Sequence, residues 1–420
     1  MAEEAHRAVP ETVSADIIEY HLFPMNILQL CNKVPYPPKD GGSHATWQLA
    51  KGLSNHGCGV QILSLNTSKH QTEPANNSVL PLTMETFSHD TRIRIRDVLK
   101  NLLFSRLPYN LMRFYSRPFE KIIAQKLREN QYDIILLEGL SLSLYIPVIR
   151  KNSGARIVLR AHNVEHRIWE KLSRATSNPF RSVYYKILAR RLLQYQTDQF
   201  ERIDALVGIS QTDLETFKDL GFSGPAHHTP FALDPDEYPL SDPVDHRNVL
   251  FLGALDWIPN IEGVSWFAQN IWPDLHVLEP DSRLFIAGRN PAPELPALLK
   301  STGIVFLGEL DHLESFYNNG RIMVVPLKAG SGMRVKIIEG MARGLCVVTT
   351  TQGLEGIPAI HGEHVWIANT ELEFVTVLKQ MIENPSLCKE MGMRARAFAR
   401  KYFDNFTHTK TLLNFFNCLV

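Results

Sequence analysis

The segment 330–341 joins a small-residue turn to a predicted helix that carries two cations and a carboxylate. Its first three residues, Gly-Ser-Gly, follow an apolar run and let the backbone turn tightly, with N–H groups close to a ligand. A cation pair at a helix start suits a diphosphate, and a carboxylate one turn later can accept hydrogen bonds from both hydroxyls of a ribose. The segment therefore predicts a nucleotide-diphosphate site that includes Ser331, Gly332, Arg334, Lys336 and Glu339.

The same helix has a second interpretation, in which Lys336 and Glu339 form an ordinary surface pair at positions i and i+3. Its place along the chain favours the site. The helix lies between two patterns typical of buried strands, Ile322 to Pro326 and Cys346 to Thr350. Ligands of open α/β sheets bind outside the carboxyl ends of the strands, which is where this segment falls.

A glycine pair, Gly41 and Gly42, lies where the first predicted strand passes into a helix. Backbone amides of the run Asp40 to Ser43 could face a phosphate or another part of the ligand, although an ordinary strand-to-helix turn also explains two glycines. Arg289 ends another predicted strand and is a candidate to hold the base of the nucleotide. Neither GxGxxG nor a Walker A sequence occurs, which argues against dehydrogenases and P-loop NTPases.

Two polar residues follow strands of the first half and are candidate catalytic groups. His162 comes after the strand Ile157 to Leu159, and Glu138 comes after the strand Ile134 to Leu137. Both positions face the expected cleft. Glu138 at the rim of the sheet could activate or hold an acceptor hydroxyl, and a plain surface carboxylate remains the alternative.

A metal site is also considered, because His162 and His166 are spaced i, i+4 with Glu165 between them. The run is not HExxH and no third ligand is close in sequence, so we reject zinc and expect no metal. His162 then remains either a group that acts on the sugar or a loop histidine.

The segment 88–128 contains ten Lys and Arg against three Asp and Glu, interleaved with large apolar residues. Such a segment suits an anionic membrane surface or a lipid-linked acceptor. Amphipathic helices that pack on their own domain give the same pattern. The sequence leaves the two interpretations equal.

Length and composition bound the class of protein. At 420 residues the chain exceeds the roughly 250–300 at which one core stops growing, so two domains are expected. Equal numbers of basic and acidic residues, 44 each, argue against a chain built to coat nucleic acid. Five scattered cysteines without CxxC indicate a reducing compartment, and neither a signal peptide nor a membrane span is predicted. We expect a cytoplasmic protein, with peripheral contact at the inner face of the membrane if segment 88–128 meets lipid.

Apolar runs alternate with helical patterns through both halves, which predicts an α/β protein with two Rossmann-like domains. A proline-rich stretch with no regular pattern separates them. The predicted division is a tail at 1–22, an acceptor-side domain at 23–228, a linker at 229–248, a nucleotide-sugar domain at 249–392 and a crossing helix at 393–420.

Four motifs in this order make the chain resemble the family 4 glycosyltransferases, also called glycosyl transferases group 1, over most of its length. They are Asp40-Gly41-Gly42-Ser43, Ala161-His162-Asn163-Val164-Glu165, Phe251 to Asn260, and the segment 330–341 continued through Gly353-Leu354-Glu355-Gly356-Ile357. The resemblance implies the GT-B fold, with the terminal helix returning to the first domain, and metal-independent transfer with retention at the anomeric carbon. It implies a nucleotide-sugar donor, no cofactor, and a glycan or lipid-linked acceptor in cell-envelope polysaccharide synthesis.

The resemblance also assigns roles to single residues. Glu339 matches the ribose-binding glutamate, and His162 matches a histidine near the donor sugar. Ser331 stands where the family often has a first glutamate, so the contact to the donor sugar must come from Ser331 or from backbone amides. Two alternatives to a transferase remain at this stage: a GT-B nucleotide-sugar epimerase or hydrolase, and a non-catalytic protein that binds sugar nucleotides.

Overall fold

The chain folds into two parallel β-sheets, each covered by helices, in a computed structural model. The structure describes residues 25–68, 71, 82–291, 293, 295–310, 312–329 and 332–420. Ser331, one of the predicted site residues, lies outside these ranges. The predicted α/β class with two Rossmann-like sheets is confirmed.

The first sheet has seven strands in the order β3-β2-β1-β4-β5-β6-β7, all parallel. Its central strands are apolar on both faces because helices cover both sides, which is why they read as continuous apolar runs. The strands are β1 (Asn26–Cys31), β2 (Gly59–Thr67), β3 (Thr83–His89), β4 (Ile134–Glu138), β5 (Arg156–Ala161), β6 (Ala205–Gly208) and β7 (Ala226–His228).

The second sheet has six strands in the order β10-β9-β8-β11-β12-β13, again all parallel. Buried side chains on its two faces form separate clusters, so this sheet has its own core. The strands are β8 (Val249–Leu252), β9 (Leu284–Ala287), β10 (Ile304–Gly308), β11 (Ile322–Val325), β12 (Cys346–Thr349) and β13 (Trp366–Ile367).

Helices lie between most successive strands of the described chain, as is usual for the crossover connections of parallel sheets. Around the first sheet they are α1 (Gly41–Asn55), α2 (Ile95–Phe104), α3 (Tyr109–Met112), α4 (Arg117–Glu129), α5 (Ile146–Asn152), α6 (Glu165–Ala175), α7 (Pro179–Asp198) and α8 (Gln211–Asp219). Around the second they are α9 (Ile258–Trp266), α10 (Trp272–Leu278), α11 (Leu295–Leu298), α12 (Glu314–Tyr317), α13 (Val335–Ala342), α14 (Glu371–Glu383) and α15 (Pro385–Tyr402), and α16 (Asn405–Asn417) ends the chain.

The terminal helix α16 returns to the first domain and packs against α1. Asn405 donates a side-chain hydrogen bond to the carbonyl of Gln48 at 2.7 Å. A Cβ at Gly52 would lie 2.4 Å from the Thr409 side chain, so the two helices touch where α1 has no side chain. The predicted return of the last helix is confirmed. The boundary proposed at 392 falls inside α15, whose buried residues belong to the second core.

Three elements differ from the sequence expectations. The strands β3 and β7 lie at the two edges of the first sheet and are partly exposed, so neither contains the apolar run by which the other strands were recognised. Helix α1 already starts at Gly41, so the glycine pair forms its first turn, because Asp40 caps the helix by accepting from the Ser43 amide at 2.8 Å. Among the described helices, none combines the length and hydropathy needed to cross a membrane.

Candidate functional site

The loops at the carboxyl ends of the two sheets meet across a narrow cleft. Gly332, in the turn before α13, has a φ of 85°, and a Cβ there would lie 3.5 Å from Asn163 Oδ1 of the first domain. Gly41 approaches the second domain in the same way, since a Cβ on it would lie 3.1 Å from Val335 Cγ2. The cleft therefore brings together the Gly-Gly turn, the His-Asn turn and the start of α13.

Glu339 of α13 is held from the opposite domain by His44 of α1. Nδ1 of His44 lies 2.9 Å from Glu339 Oε1, and its Nε2 lies 3.0 Å from the hydroxyl of Tyr238. This arrangement lets Nδ1 donate to the carboxylate while Nε2 accepts from the tyrosine. The carboxylate predicted to bind ribose is thus at the interface of the two domains.

Lys336 is half-buried, and its ammonium group has two hydrogen-bond partners in the protein. Its Nζ donates to the carbonyl of Leu252 at 2.9 Å and to Asn260 Oδ1 at 2.8 Å. Burial, and next the charge of Arg334, lower the pKa of Lys336 to about 7. An ammonium group has three donors, so one N–H remains for a ligand oxygen.

The lowered pKa of Lys336 gives a testable pH dependence. A bound diphosphate favours the charged ammonium, so nucleotide binding should raise this pKa and take up a proton above pH 7. We therefore expect the affinity for a nucleoside diphosphate to fall as the pH rises from 7 to 9. Calorimetry at pH 8 in two buffers of different ionisation enthalpy should detect the proton uptake.

The matched control for this pH dependence is Lys336→Met, which keeps the length of the side chain but cannot be protonated. This variant should bind a nucleoside diphosphate more weakly and without proton uptake at pH 8. The nucleoside without phosphates should bind both proteins with no difference between buffers. A wild-type enthalpy that is independent of the buffer would show that Lys336 does not respond to the diphosphate.

Arg334 caps the start of α13 and is 6% exposed. Its guanidinium donates to the carbonyl of Gly332 at 2.7 Å and lies 5.4 Å from the centre of the Trp257 ring. These contacts fix a positive charge beside the Gly332 turn. Arg289 follows β9, and its Nε is buried with no hydrogen-bond partner among the described residues.

The residues next to the Gly-Gly turn hydrogen-bond to one another. Lys33 donates to both oxygens of Asp40, at 2.6 and 2.8 Å, and Asp40 accepts from the amide of Ser43. A Cβ at Gly42 would lie 2.8 Å from Lys33 Nζ, so glycine leaves room for this pair. The backbone amide of Ser43 is therefore already occupied by the helix cap and does not face a ligand.

The side of α13 that carries Lys336 and Glu339 also includes Gly340 and Arg343 and is only partly solvent-facing. Gly340 and Arg343 are buried, and Arg343 packs between the rings of Tyr238 and Tyr317 while pairing with Glu314 at 3.1 Å. Lys336 and Glu339 remain partly exposed. The face therefore contains a ligand-accessible half and a half that holds the helix in place.

The first domain contributes a cavity of about 660 Å³ that opens beside the His-Asn turn. Burial raises the pKa of Glu165 to about 7, against the opposing charge of Arg113. A carboxyl group that titrates near neutrality is thereby placed in the same cavity as the predicted catalytic histidine. The lining includes Lys33, Thr91, Arg113, Phe114, His162 and Glu165.

Glu138 lies at the base of this cavity rather than at its rim. It is only 3% exposed and accepts from Gln29 at 2.6 Å, Thr46 at 3.2 Å and Arg160 at 3.2 Å. Burial favours the neutral acid, but Arg160 and then His162 outweigh it and hold the pKa of Glu138 at about 2. The sequence placed Glu138 at the rim of the sheet, whereas the structure places its carboxylate in a buried position, ionised and hydrogen-bonded to these neighbours. A role of Glu138 towards an acceptor hydroxyl stays a prediction.

The fourth partner of Glu138 is His162, whose Nε2 lies 2.6 Å from Oε2. Burial lowers the pKa of His162, against the carboxylate, so the imidazole is neutral and donates from Nε2. The positive charge that balances the Glu138 carboxylate comes from Arg160. The histidine is thus fixed in one tautomer with Nδ1 left as an acceptor, an arrangement typical of a positioned functional imidazole.

His166 takes no part in this arrangement. It is a buried residue of α6, and burial lowers its pKa. Within the described part of the chain, no cluster of three or more His, Cys, Asp or Glu side chains could hold a metal ion. His162 lies in the loop before α6 and His166 lies in the first turn of that helix, which accounts for their spacing.

Three residues of the site were missed from sequence. His44, Asn260 and Arg160 each act on a predicted residue: they contact Glu339, Lys336 and Glu138 respectively. Asn260 lies in the first turn of α9, which begins after Trp257, and its side chain accepts a hydrogen bond from the lysine. The signals were weak: His44 adjoins the Gly-Gly turn, and Arg160 is a charge inside an otherwise apolar strand.

Two family models match nearly adjacent parts of the chain. Glycosyltransferase Family 4 matches residues 39–237, and Glycosyl transferases group 1 matches residues 246–384. This chain is a family 4 glycosyltransferase. The predicted enzyme class and the use of a nucleotide-sugar donor are thereby confirmed, and the alternative of a non-catalytic binding protein is set aside.

One relative in sequence and two solved structures are similar to this glycosyltransferase. A Klebsiella pneumoniae protein, described as an uncharacterized 44.6 kDa protein in cps region, is 26% identical over 90% of this chain and 96% of its own length. Anabaena Alr3699/HepE in complex with UDP-glucose superposes with a TM-score of 0.64 at 16% identity, covering 94% and 100% of the two chains. Sucrose-phosphate synthase from Thermosynechococcus elongatus gives 0.67 at 15% identity, covering 94% and 99%. The predicted GT-B fold is confirmed.

Proposed function

We propose that this glycosyltransferase moves a hexose-type sugar from a uridine diphosphate donor to an acceptor hydroxyl, with retention at the anomeric carbon. The observation that carries the proposal is the position of Glu339, Lys336 and Arg334 at the carboxyl end of the second sheet, opposite the His162 turn. The choice of uridine rests on the UDP-glucose complex of the Anabaena protein.

In this proposal the second domain holds the nucleotide. Glu339 accepts hydrogen bonds from the ribose hydroxyls, and Arg289 borders the base. Arg334, Lys336 and the amides of the Gly332 turn face the diphosphate, which gains negative charge as the sugar leaves. Preorganised donors aimed at that charge stabilise the transition state, the work that a bound divalent ion performs in other transferases.

The first domain acts on the sugar and the acceptor. His162, neutral and fixed by Glu138, accepts a hydrogen bond from a sugar hydroxyl through Nδ1. The cavity beside it takes the acceptor, with Glu165 available to accept a hydrogen bond from the attacking hydroxyl. Attack occurs from the face that the diphosphate leaves.

The acceptor we propose is a glycan or a lipid-linked saccharide used in cell-envelope polysaccharide synthesis, on the cytoplasmic side of the membrane. Support comes from the mixed lining of the cavity, which offers basic, acidic and aromatic side chains to a saccharide. The Klebsiella relative found in a cps region also supports it.

A thermal-shift screen of nucleotide sugars, followed by mass analysis of products with saccharide acceptors, tests the proposal. We expect a uridine nucleotide sugar to raise the melting temperature most, and a glycosylated product to form. Release of free sugar or an epimerised donor in the presence of every acceptor would instead identify a hydrolase or an epimerase.

Metal independence is a further expectation of this mechanism, because two cations and a helix start face the diphosphate. Transfer should therefore persist in excess EDTA at an undiminished rate. Adding back magnesium or manganese should change the rate by less than about twofold, far below the tenfold that 1.4 kcal/mol of lost barrier stabilisation represents. Complete loss in EDTA, restored by either ion, would contradict the assignment of charge stabilisation to Arg334 and Lys336.

A further inference from the structure

Helix α2 has an apolar face that the protein does not cover. Ile95, Leu99 and Leu103 recur at i, i+4 and i+8, so they share one side of the helix, and all three are exposed. Phe104 is 86% exposed at the end of the helix. Asn101 is the buried residue of α2, so this helix does not use its apolar side to pack on its own domain.

The rest of segment 88–128 behaves differently. In α3 and α4, the residues Tyr109, Leu111, Phe119, Ile123 and Leu127 are buried in the first core. Those helices are ordinary amphipathic packing elements. Packing on the protein's own domain therefore explains α3 and α4. Only the region around α2 remains available for an external partner.

A second exposed apolar stripe lies on α7. Phe180, Val183 and Ile187 follow at i, i+3 and i+7, and Phe180 is 86% exposed. The neighbouring helix α6 adds the exposed Leu172 near the tip of the α6–α7 hairpin. This hairpin lies outside segment 88–128, and its sequence gave no sign that it joins the same surface.

Arg191 joins the two stripes. It lies at i+11 from Phe180, on the same side of α7, and donates to the carbonyls of Asn101 at 3.3 Å and Leu102 at 2.8 Å. The exposed stripe of α7 therefore runs towards the end of α2. We call the combined surface the apolar face: Ile95, Leu99, Leu103, Phe104, Leu172, Phe180, Val183 and Ile187.

The apolar face is formed by two segments of the chain that are rich in basic residues. Segment 165–191 contains seven Lys and Arg against two Glu, and segment 88–128 contains ten against three, although the whole chain is balanced at 44 and 44. In the second domain, exposed large apolar residues such as Val277 and Leu372 lie far apart in sequence and outside any comparable basic region. The combination of apolar and basic character is therefore local to this face.

We propose that the apolar face docks on an anionic lipid bilayer, with its aromatic and aliphatic side chains in the interfacial region and its basic side chains against the headgroups. Exposed apolar side chains on a basic helical surface suit this environment, because burial in the acyl boundary and attraction to anionic lipid act together. A protein partner would have to supply both an apolar groove and an acidic rim.

Docking in this orientation also serves the acceptor site, a step that rests on the proposed function. Arg92 and Ile93 line the cavity next to His162, and both precede α2 directly in sequence. The cavity thus opens beside the docking surface. A saccharide anchored in the bilayer by a lipid could enter it without leaving the membrane.

Flotation of the full-length protein with vesicles tests the docking separately from catalysis. We expect binding to vesicles of phosphatidylcholine with 30% phosphatidylglycerol, an order-of-magnitude choice for an anionic surface. Binding to pure phosphatidylcholine should be at least fivefold weaker, and salt should reduce the anionic component. The double substitution Phe104→Asp and Phe180→Asp should reduce binding at least tenfold.

The matched control is the double substitution Val277→Asp and Leu372→Asp, which removes two equally exposed apolar residues of the second domain. It should bind anionic vesicles like the unmodified protein. Equal binding by both double variants, or self-association of the unmodified protein with no vesicle binding, would overturn the proposal. Transfer to a water-soluble acceptor without vesicles should be the same in all three proteins, so failure of docking and failure of the proposed activity give different results.

Discussion

Replacing Glu339 by alanine is expected to weaken UDP binding by about 100-fold while the protein stays folded. The carboxylate is proposed to accept two hydrogen bonds from ribose, and a hydrogen bond to a charged group contributes roughly 1.5–3 kcal/mol. Two such bonds correspond to at least two orders of magnitude in affinity. Calorimetric titration with UDP, together with the melting temperature of the free protein, measures both quantities.

His44→Ala is the control for this substitution, because it removes the 2.9 Å contact to Glu339 and leaves the carboxylate in place. Its UDP affinity should change far less than that of Glu339→Ala. Arg334→Ala and Lys336→Ala should weaken UDP but leave the binding of uridine nearly unchanged. If all four variants lost uridine equally, the division between ribose and diphosphate contacts would be incorrect.

Replacing His162 by alanine is expected to lower the turnover number by more than tenfold, which corresponds to about 1.4 kcal/mol of barrier. The expected reason is that its neutral imidazole, fixed by Glu138 at 2.6 Å, contacts the sugar in the transition state. UDP affinity should change little, because the nucleotide is bound by the other domain. Steady-state kinetics and UDP titration separate the two effects.

His166→Ala provides the comparison for His162, since it removes a histidine four positions along the chain on α6. It should lower the melting temperature through lost packing and leave the turnover number within a few fold. Equal losses of turnover and stability in the two variants would make His162 a residue that only shapes the cleft.

The sequence was informative wherever burial imposes a pattern. The central strands could be located from apolar runs because helices cover both faces of each sheet. The runs predicted at Ile134 to Leu137, Ile157 to Leu159 and Ile322 to Pro326 lie on β4, β5 and β11. The edge strands β3 and β7 lack such runs because one side of each faces solvent. Pattern reasoning therefore finds the middle of a parallel sheet more easily than its edges.

The sequence was sufficient to predict which residues belong to the site, but not which side chains they contact. Lys336 and Glu339 could be recognised from the helix start, whereas Asn260 and His44 act on them across 76 and 295 positions of sequence. Glu138 shows the same limit. Its place at a strand end was clear, but its burial depends on Arg160 from the neighbouring strand and Gln29 from the first.

Gly41 also limits how closely the two domains can approach each other, because there is no room between them at this position for an additional methyl group. A Cβ at this position would lie 3.1 Å from Val335, closer than most carbon atoms approach one another. The hydrogen atoms of Gly41 therefore leave just enough room for Val335 of the other domain. A larger residue at this position would have to displace Val335 by a few tenths of an ångström, and it would hold the donor half and the acceptor half slightly further apart.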